Sequence, residues 1–449
     1  MKKRVFLAAV CAAAALPLEA HAQQWLADRQ LQEGIGVRVG DLELHPGLGG
    51  EFGYDSNYFQ RAGDGGNPPE PTIAAYRLRI VPSLSLSTLG AQRAGANAPI
   101  QFPKVNFRAN AHAAYNELFA AESKYSDDVS GQRHLNVGAG FNLDILPHRP
   151  VGADLYADYV RLAEPSNSPD QDFAFDRDAI RAGAGVSWRP GGGLFEWRFG
   201  YEALYNFFEV ERFKTNNNIN HTFATRGRWR FLPRTALLFD GSYRFTRYTG
   251  PEPTTPTVYD GDWVRSRVGL NGLITPRVSL LAMVGWASSF FDAARRNADT
   301  VIAQAEAKYF VLAPPGLDQT SQATTGLSTV WLGYVRDAQN SYLNAYYTRD
   351  RAYIGANYFL GGAFVTSVEA GWSYVHFPVN TVASFNQRRI DARLFAEYRF
   401  SNSFGLNATV RFDRNDSDTV RPLAGQMVAL ADDLDFIRWQ AYLGVRWFL

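Results

Sequence analysis

Residues 437–449, at the end of the chain, read IRWQAYLGVRWFL and alternate between two kinds of side chain. Every second residue from Ile437 to Leu449 is apolar or aromatic, whereas the positions between them include Arg438, Gln440 and Arg446. A period of two indicates a β-strand, and a strand with one apolar and one polar face suits a wall between lipid and water. This stretch therefore predicts one strand of a transmembrane barrel.

The same alternation extends outward from that strand through most of the chain. Residues 390–400 and 404–412 are apolar at every second position, on either side of the turn Ser401-Asn402-Ser403. Such segments are roughly ten to fifteen residues long, whereas strands of soluble sandwiches usually have about five to six residues. The sequence thus predicts an all-β fold, a transmembrane antiparallel up-and-down β-barrel.

Short connections rich in Pro or Gly alternate with longer polar ones, as periplasmic turns and extracellular loops do in outer-membrane barrels. The short turns are predicted at 147–150, 190–193, 233–234, 276–277, 314–316, 361–362 and 401–403. The longer loops are predicted at 60–71, 164–172, 250–259, 377–385 and 416–434. This spacing gives about eighteen strands, and sixteen is the alternative because the register is ambiguous within 318–359.

The first residues have the pattern of a signal peptide. Lys2, Lys3 and Arg4 precede an apolar run that ends near Leu18, and Ala20-His21-Ala22 forms a small-x-small cleavage site. We expect residues 1–22 to be the signal peptide, 23–41 a short periplasmic segment and 42–449 the barrel. The one Cys lies inside the apolar run, so the mature chain would contain none.

Composition excludes several classes of protein. The chain has 449 residues, of which 14% are aromatic and 20% charged, a balance unlike that of a disordered chain. The formal net charge of +1 lacks the basic excess of a nucleic-acid-binding protein. No stretch beyond the signal peptide offers the run of about 18 apolar residues that a transmembrane helix needs.

Assigning the polar face of every strand inward places many arginines on the lumen wall. A guanidinium stays charged and pairs with carboxylates or phosphates, so an excess of arginine along a confined water path favours anions. The predicted lumen residues are Arg226, Arg228, Arg230, Arg244, Arg265, Arg267, Arg389, Arg393, Arg411, Arg438 and Arg446, with Glu196, Asp240, Asp391 and Glu397 as acidic counter-charges. The alternative is that these arginines pair with the carboxylates and brace the wall, and both roles can hold together.

No catalytic or metal-ligating constellation emerges. The histidines after the signal peptide are scattered without metal-ligand spacing, and the sequence contains no G-x-S-x-G motif. The sequence therefore predicts neither an enzyme nor a bound metal or cofactor.

The first hairpin, FGYDSNY at 52–58 followed by IVPSLSL at 80–86, resembles the opening of beta-barrel porin family 2 of the outer membrane. The layout of signal peptide, paired strands and aromatic last strand is similar over nearly the whole mature chain, although Leu449 replaces the usual terminal Phe. Members of that family in exopolysaccharide-producing bacteria, myxobacteria among them, are linked to polysaccharide secretion through the outer membrane. The resemblance implies export of an exopolysaccharide through the outer membrane.

Three functions follow from this reading. Polysaccharide export leads, a general or anion-selective diffusion porin is the alternative, and a barrel that docks an adhesion or motility complex is the third. The expected partners are outer-membrane lipid, the barrel-assembly machinery and, for export, a separate periplasmic polysaccharide-export protein. Nucleic acid is not an expected partner.

Overall fold

In the computed structural model the chain is almost entirely β-structure. The structure describes residues 36–63, 71–88, 104–163, 177–209, 211–251, 259–292, 297–311, 328–341, 345–360, 363–378, 384–401, 403–418 and 434–449. The strands of the first half are β1 Val37–Val39, β2 Leu42–Asp55, β3 Ala75–Thr88, β4 Val105–Ala120, β5 His134–Ile145, β6 Val151–Leu162, β7 Arg177–Trp188, β8 Phe195–Phe208, β9 Asn218–Leu232 and β10 Thr235–Tyr248. Those of the second half are β11 Gly261–Thr275, β12 Val278–Phe291, β13 Asp299–Phe310, β14 Thr329–Asn340, β15 Tyr346–Leu360, β16 Phe364–Phe377, β17 Phe385–Ser401, β18 Phe404–Ser417 and β19 Phe436–Phe448.

Strands β2 to β19 form a closed antiparallel barrel of 18 strands. Each strand pairs with its neighbours in the chain, and β19 pairs with β2 from Gln440↔Asp55 to Phe448↔Gly47. The predicted count of eighteen is confirmed, and the alternative of sixteen is wrong because both β14 and β15 form within the segment of ambiguous register. Each strand from β2 to β19 is thus hydrogen-bonded to a strand on both sides, which is a condition for crossing lipid with strands.

The connections differ between the two ends of the barrel. One end of the barrel holds the start of β2 and the last residues of β19, and we call it the turn end. We call the opposite end the loop end. At the turn end, 233–234, 276–277 and 402–403 are the whole connections between their strands. The predicted turns at 314–316 and 361–362 lie outside the described residues, and 314–316 belongs to the long connection between Phe310 and Thr329.

The loop end carries most of the longer connections, although 89–104 and 311–328 at the turn end are also long. Of the predicted loops, 164–172 lies outside the described residues, as do large parts of the other four. Between β4 and β5, a short helix α1 (Ser126–Ser130) buries Val129 against Leu118 and Ile73. This loop therefore packs on the barrel rim through an apolar cluster.

The outer face of the barrel is an apolar band. Leu443, Phe199 and Ile274 are more than half exposed, and on each strand such residues alternate with polar ones. Exposed apolar side chains of this density are stable only against lipid, and in bacteria a barrel of this kind belongs to the outer membrane. The described residues include no helix long and apolar enough to span a bilayer.

The N-terminal region contains one element that the sequence did not predict. The three-residue β1 pairs with the start of β2, from Val37↔Leu44 to Val39↔Leu42, within the segment expected to be periplasmic. The predicted signal peptide, 1–22, lies outside the described residues.

Candidate solute path along the inner wall

Contacts between strands that are not neighbours identify the inner face, because only the concave side brings such strands together. Arg265 on β11 donates to the carboxylate of Asp337 on β14. The hydroxyl of Tyr353 on β15 donates to Glu306 Oε2 on β13 at 2.9 Å. These side chains alternate with the exposed apolar ones, so the polar face of each strand lines the lumen.

The structure places the predicted lumen residues on this inner face. On each strand the lipid-facing apolar residues occupy every second position, and the predicted lumen residues occupy the positions between them. The lipid-facing residues include Phe223 on β9, Tyr243 on β10, Val264 on β11 and Leu443 on β19. The residues so placed are Arg226, Arg228, Arg230, Arg244, Arg265, Arg267, Arg389, Arg393, Arg411, Arg438 and Arg446, with Glu196, Asp240, Asp391 and Glu397.

Four of the inward residues form one row across β8 to β11. In register, Arg198 lies opposite Arg226, Arg226 opposite Asp240, and Asp240 opposite Arg267. The Asp240 carboxylate contacts Arg226 Nε at 3.5 Å and Arg267 Nη2 at 3.6 Å. One carboxylate therefore faces two guanidinium groups in this row, at distances too long for strong hydrogen bonds.

Arg198 turns away from the row to a carboxylate on β6. Its Nε and Nη2 donate to Asp154 at 2.8 and 2.5 Å. To reach Asp154, the guanidinium lies over Gly185 on β7 and beside Gly200, where a Cβ would collide with it. Glycine on the intervening strand thus makes room for the ion pair.

The same arrangement recurs elsewhere on the wall. Arg351 on β15 lies over Gly371 on β16 and reaches Asp391 on β17 at 2.8 Å. Tyr353 lies over Gly333 in the same way. The sequence signal for such a pair is a glycine at an inward position of a strand, with a long polar side chain on one neighbouring strand and a carboxylate on the other.

The charges near the turn end of β8 and β9 are unevenly matched. Glu196 pairs with Arg228 at 2.6 Å and also with Arg189 at 3.0 Å. Within the part of the chain that the structure describes, Arg230 has no carboxylate partner, and the Arg226 side chain remains 68% exposed. This part of the lumen wall therefore carries more accessible positive than negative charge.

Two further inward arginines are exposed and have no carboxylate partner among the described residues: Arg108 on β4 and Arg393 on β17. Together with Arg226 and Arg230 they are the cations best able to meet a passing solute.

The seam where the barrel closes is matched much more tightly. Arg438 pairs with Asp55 at 2.5 Å, and Arg389 with Asp413 at 2.8 Å. Glu397, fully buried, contacts Arg446 Nη1 at 3.5 Å. At the seam, therefore, the arginines pair with carboxylates and brace the wall. The arginines of β9 with unmatched charge lie in another part of the lumen wall.

The tip of the hairpin between β14 and β15 folds into the lumen. Pairing of β13 with β14 stops at Ala303↔Arg336, whereas pairing of β14 with β15 continues to Asn340↔Tyr346. Residues 337–341 and 345–347 therefore leave the wall, and we call them the inner hairpin tip.

Packing holds the inner hairpin tip against the wall. Ala338 and Tyr346 occupy positions that would face lipid if the hairpin had stayed in the wall. Here they pack against three inward residues of β11 to β13, which are Trp263, Phe291 and Ile302. The rings of Phe291 and Tyr346 stack with centroids 6.1 Å apart. This reversal of facing accounts for the ambiguous register around Asn340, where the tyrosine-rich run begins.

A chain of hydrogen bonds extends from the tip along the loop end. Asn340 accepts from Trp263 Nε1 and donates to Thr246 Oγ1 at 3.2 Å. Thr246 donates to Asn220 at 2.5 Å, and Asn220 donates to Asn218 at 2.7 Å. These buried amides on β9 to β14 carry no charge, so the pattern of charged inward residues did not predict them.

At the loop end, Arg161 on β6 joins the segment after β8. Its Nε and Nη2 donate to Glu209 at 2.6 and 2.8 Å. These hydrogen bonds lower the pKa of Glu209. In the described ranges, no group of three or more His, Cys, Asp or Glu side chains is placed to hold a metal ion.

No protein-family model and no curated protein matches this sequence. Among solved structures, the chain is similar to a BenF-like porin from Pseudomonas fluorescens Pf-5, at 11% identity and a TM-score of 0.49, covering 92% of this chain and 100% of that one. It is also similar to Pseudomonas aeruginosa OccK7 (OpdD), at 12% identity and a TM-score of 0.47, covering 92% and 99%. A third similar structure is P. aeruginosa OpdK with vanillate, at 13% identity and a TM-score of 0.45, covering 90% of this chain and 98% of that one. At this identity the similarity concerns the course of the barrel strands and no individual residue.

Proposed function

We propose that this protein is an outer-membrane porin, a diffusion channel whose lumen favours small anionic solutes. The observation that carries the proposal is the row on β8 to β11 in which Asp240 faces both Arg226 and Arg267 at long distances. Because guanidinium groups stay charged and bind carboxylates and phosphates, an incompletely neutralised row in a water-filled path raises the local concentration of anions.

The test is electrical. We would insert the purified barrel into planar bilayers and measure the reversal potential in a KCl gradient, expecting a sign that reports preference for chloride. Addition of a small dicarboxylate or of phosphate to one side should reduce the chloride current, because these anions would compete for the same arginines. A cation-selective reversal potential would contradict the proposal.

Export of an exopolysaccharide, which the resemblance to beta-barrel porin family 2 and to the polysaccharide secretion barrels of myxobacteria implies, is the second candidate. The inner hairpin tip counts against it, since the tip occupies part of the passage that a polymer would need. Deleting the gene and measuring surface polysaccharide together with uptake of small anions distinguishes the two functions. A porin predicts normal polysaccharide with slower uptake, and an exporter predicts the reverse.

A barrel that docks an adhesion or motility complex is the third candidate, and no feature of the described wall favours it. We further propose that the protein is not an enzyme, that it needs no cofactor, and that it is inserted by the barrel-assembly machinery. A separate periplasmic export protein belongs only to the export candidate, and nucleic acid to none.

A further inference from the structure

The lipid-facing wall contains an apolar groove of about 440 Å³ between β5 and β9. Its floor is Ala184 on β7, and the residues directly opposite Ala184 on the neighbouring strands are Leu155 on β6 and Tyr201 on β8. Tyr201 in turn lies opposite Phe223 on β9. A small side chain on one strand between bulky ones on both sides produces a channel one strand wide.

The groove lies in the half of the barrel nearer the turn end. It is lined there by Ile145, the last residue of β5, by Ala153, close to the start of β6, and by Val186, close to the end of β7. In an outer-membrane barrel the short turns face the periplasm, so this half of the wall contacts the inner leaflet.

A cation lies beyond the turn end of the groove. Arg149 is exposed in the turn between Ile145 and Val151, and no described carboxylate pairs with it. Its backbone N–H donates to the carbonyl of Leu146 at 3.0 Å. Arg189, bound to Glu196, also donates to the carbonyl of Pro147. The turn is thus held in place by hydrogen bonds while the Arg149 side chain stays exposed.

The dimensions favour a single lipid chain as the occupant. Strands β6 and β8 flank β7 at about 4.8 Å each, so the groove is roughly 10 Å wide between the backbones that border it. That width suits an acyl chain, whereas a second copy of the barrel would present a sheet several strands wide.

We propose that this groove and Arg149 form a binding site for one anionic phospholipid of the inner leaflet. One acyl chain fills the groove over Ala184, and the headgroup phosphate with its net negative charge pairs with Arg149. A basic residue near the membrane surface contributes about 1 kcal/mol to binding of anionic lipid, which corresponds to roughly a fivefold preference. The site is separate from the lumen and does not depend on the proposed porin function.

The experiment is native mass spectrometry of the full-length mature barrel in detergent, titrated with phosphatidylglycerol or with phosphatidylcholine of identical chains. We expect one tightly bound phosphatidylglycerol, retained about fivefold better than phosphatidylcholine. The variant A184W should reduce binding of both lipids, because the indole fills the groove. The variant R149Q should keep both lipids bound and remove the preference for phosphatidylglycerol.

The matched control for A184W is A370W, on the lipid-facing side of β16. The matched control for R149Q is R277Q, because Arg277 is an exposed arginine in the turn between β11 and β12 and has no carboxylate partner among the described residues. Both should bind lipid as the unmodified protein does, and all variants should show the same heat-modifiable migration on gels. Equal retention of lipid by A184W would overturn the groove as the site. An unchanged headgroup preference in R149Q would overturn the role of Arg149, and a dimer mass that A184W abolishes would assign the groove to a second copy instead.

Discussion

Arg438 on the last strand donates to the Asp55 carboxylate on the first strand of the barrel, from Nε shared between the two oxygens at 3.0 and 3.1 Å and from Nη2 at 2.5 Å. Asp55 is 1% exposed and Arg438 7%. Gln440 donates to the same carboxylate at 2.7 Å and to the hydroxyl of Tyr442 at 3.1 Å. The two ends of the barrel sheet are thus joined by a buried, hydrogen-bonded ion pair beside the backbone pairing of β19 with β2.

Asp55→Asn should destabilise the barrel by about 3 to 5 kcal/mol, because it leaves the buried Arg438 without its counter-charge. The measurement is urea unfolding in lipid vesicles, followed by tryptophan fluorescence. Arg108→Gln is the control, since Arg108 is an exposed lumen arginine without a described partner, and we expect it to change stability by less than about 0.5 kcal/mol. Equal unfolding midpoints for D55N and the unmodified protein would show that the pair does not stabilise closure.

Replacing Arg226, Arg228 and Arg230 together with Ser should lower the ratio of anion to cation permeability by a factor of roughly two to five, because it removes the exposed positive charge from β9. The triple Lys variant is the control and should keep most of the preference, since it keeps the charge. The reversal potential in a KCl gradient is the measurement. An unchanged ratio in the Ser variant would mean that other residues set selectivity.

Anion preference should be constant from roughly pH 6 to pH 9, because guanidinium groups do not lose their protons in this range. The reversal potential of the unmodified barrel, recorded at several pH values with a fixed KCl gradient, checks this. A steep decline of anion preference toward pH 9 would indicate that lysine or histidine, and not arginine, sets the charge of the path.

Gly185→Val should cost about 1 to 3 kcal/mol, because the added side chain occupies the space of the Arg198 guanidinium on its way to Asp154. Gly50→Val is the matched control, since Gly50 also lies in a strand but a Cβ there would meet nothing within 4 Å. Urea unfolding compares the two. A larger loss of stability in G50V than in G185V would contradict this explanation of the inward glycines.

Trp263→Ala should loosen the inner hairpin tip, because it removes the ring that packs on Tyr346 and the N–H that binds Asn340. Truncation of a buried Trp costs about 3 to 5 kcal/mol, and here we expect part of this loss to appear as local release of the tip. Single-channel recordings should show higher conductance and more current noise. Trp286→Ala, a lipid-facing tryptophan on β12, should leave the conductance unchanged.

The sequence by itself determined the class of fold and the facing of most residues. Strict alternation in 390–400, 404–412 and 437–449 is enough to separate a lipid face from a lumen face, because the side-chain period of a strand is two. The same alternation assigns the predicted lumen arginines to the polar face of their strands. It also gave the strand count, except where the hairpin between β14 and β15 leaves the wall.

The tertiary structure decided which charges meet. Arg198 could reach Asp154 only because Gly185 lies between them, and this depends on the register of three strands. Likewise, Ala338 and Tyr346 stand at positions where the alternation predicts a lipid-facing side chain, but both are buried inside the barrel. Periodicity shows which side chains share a face of a strand. Whether that strand stays in the wall or folds into the lumen, and which charges pair, depends on contacts between residues far apart in the chain.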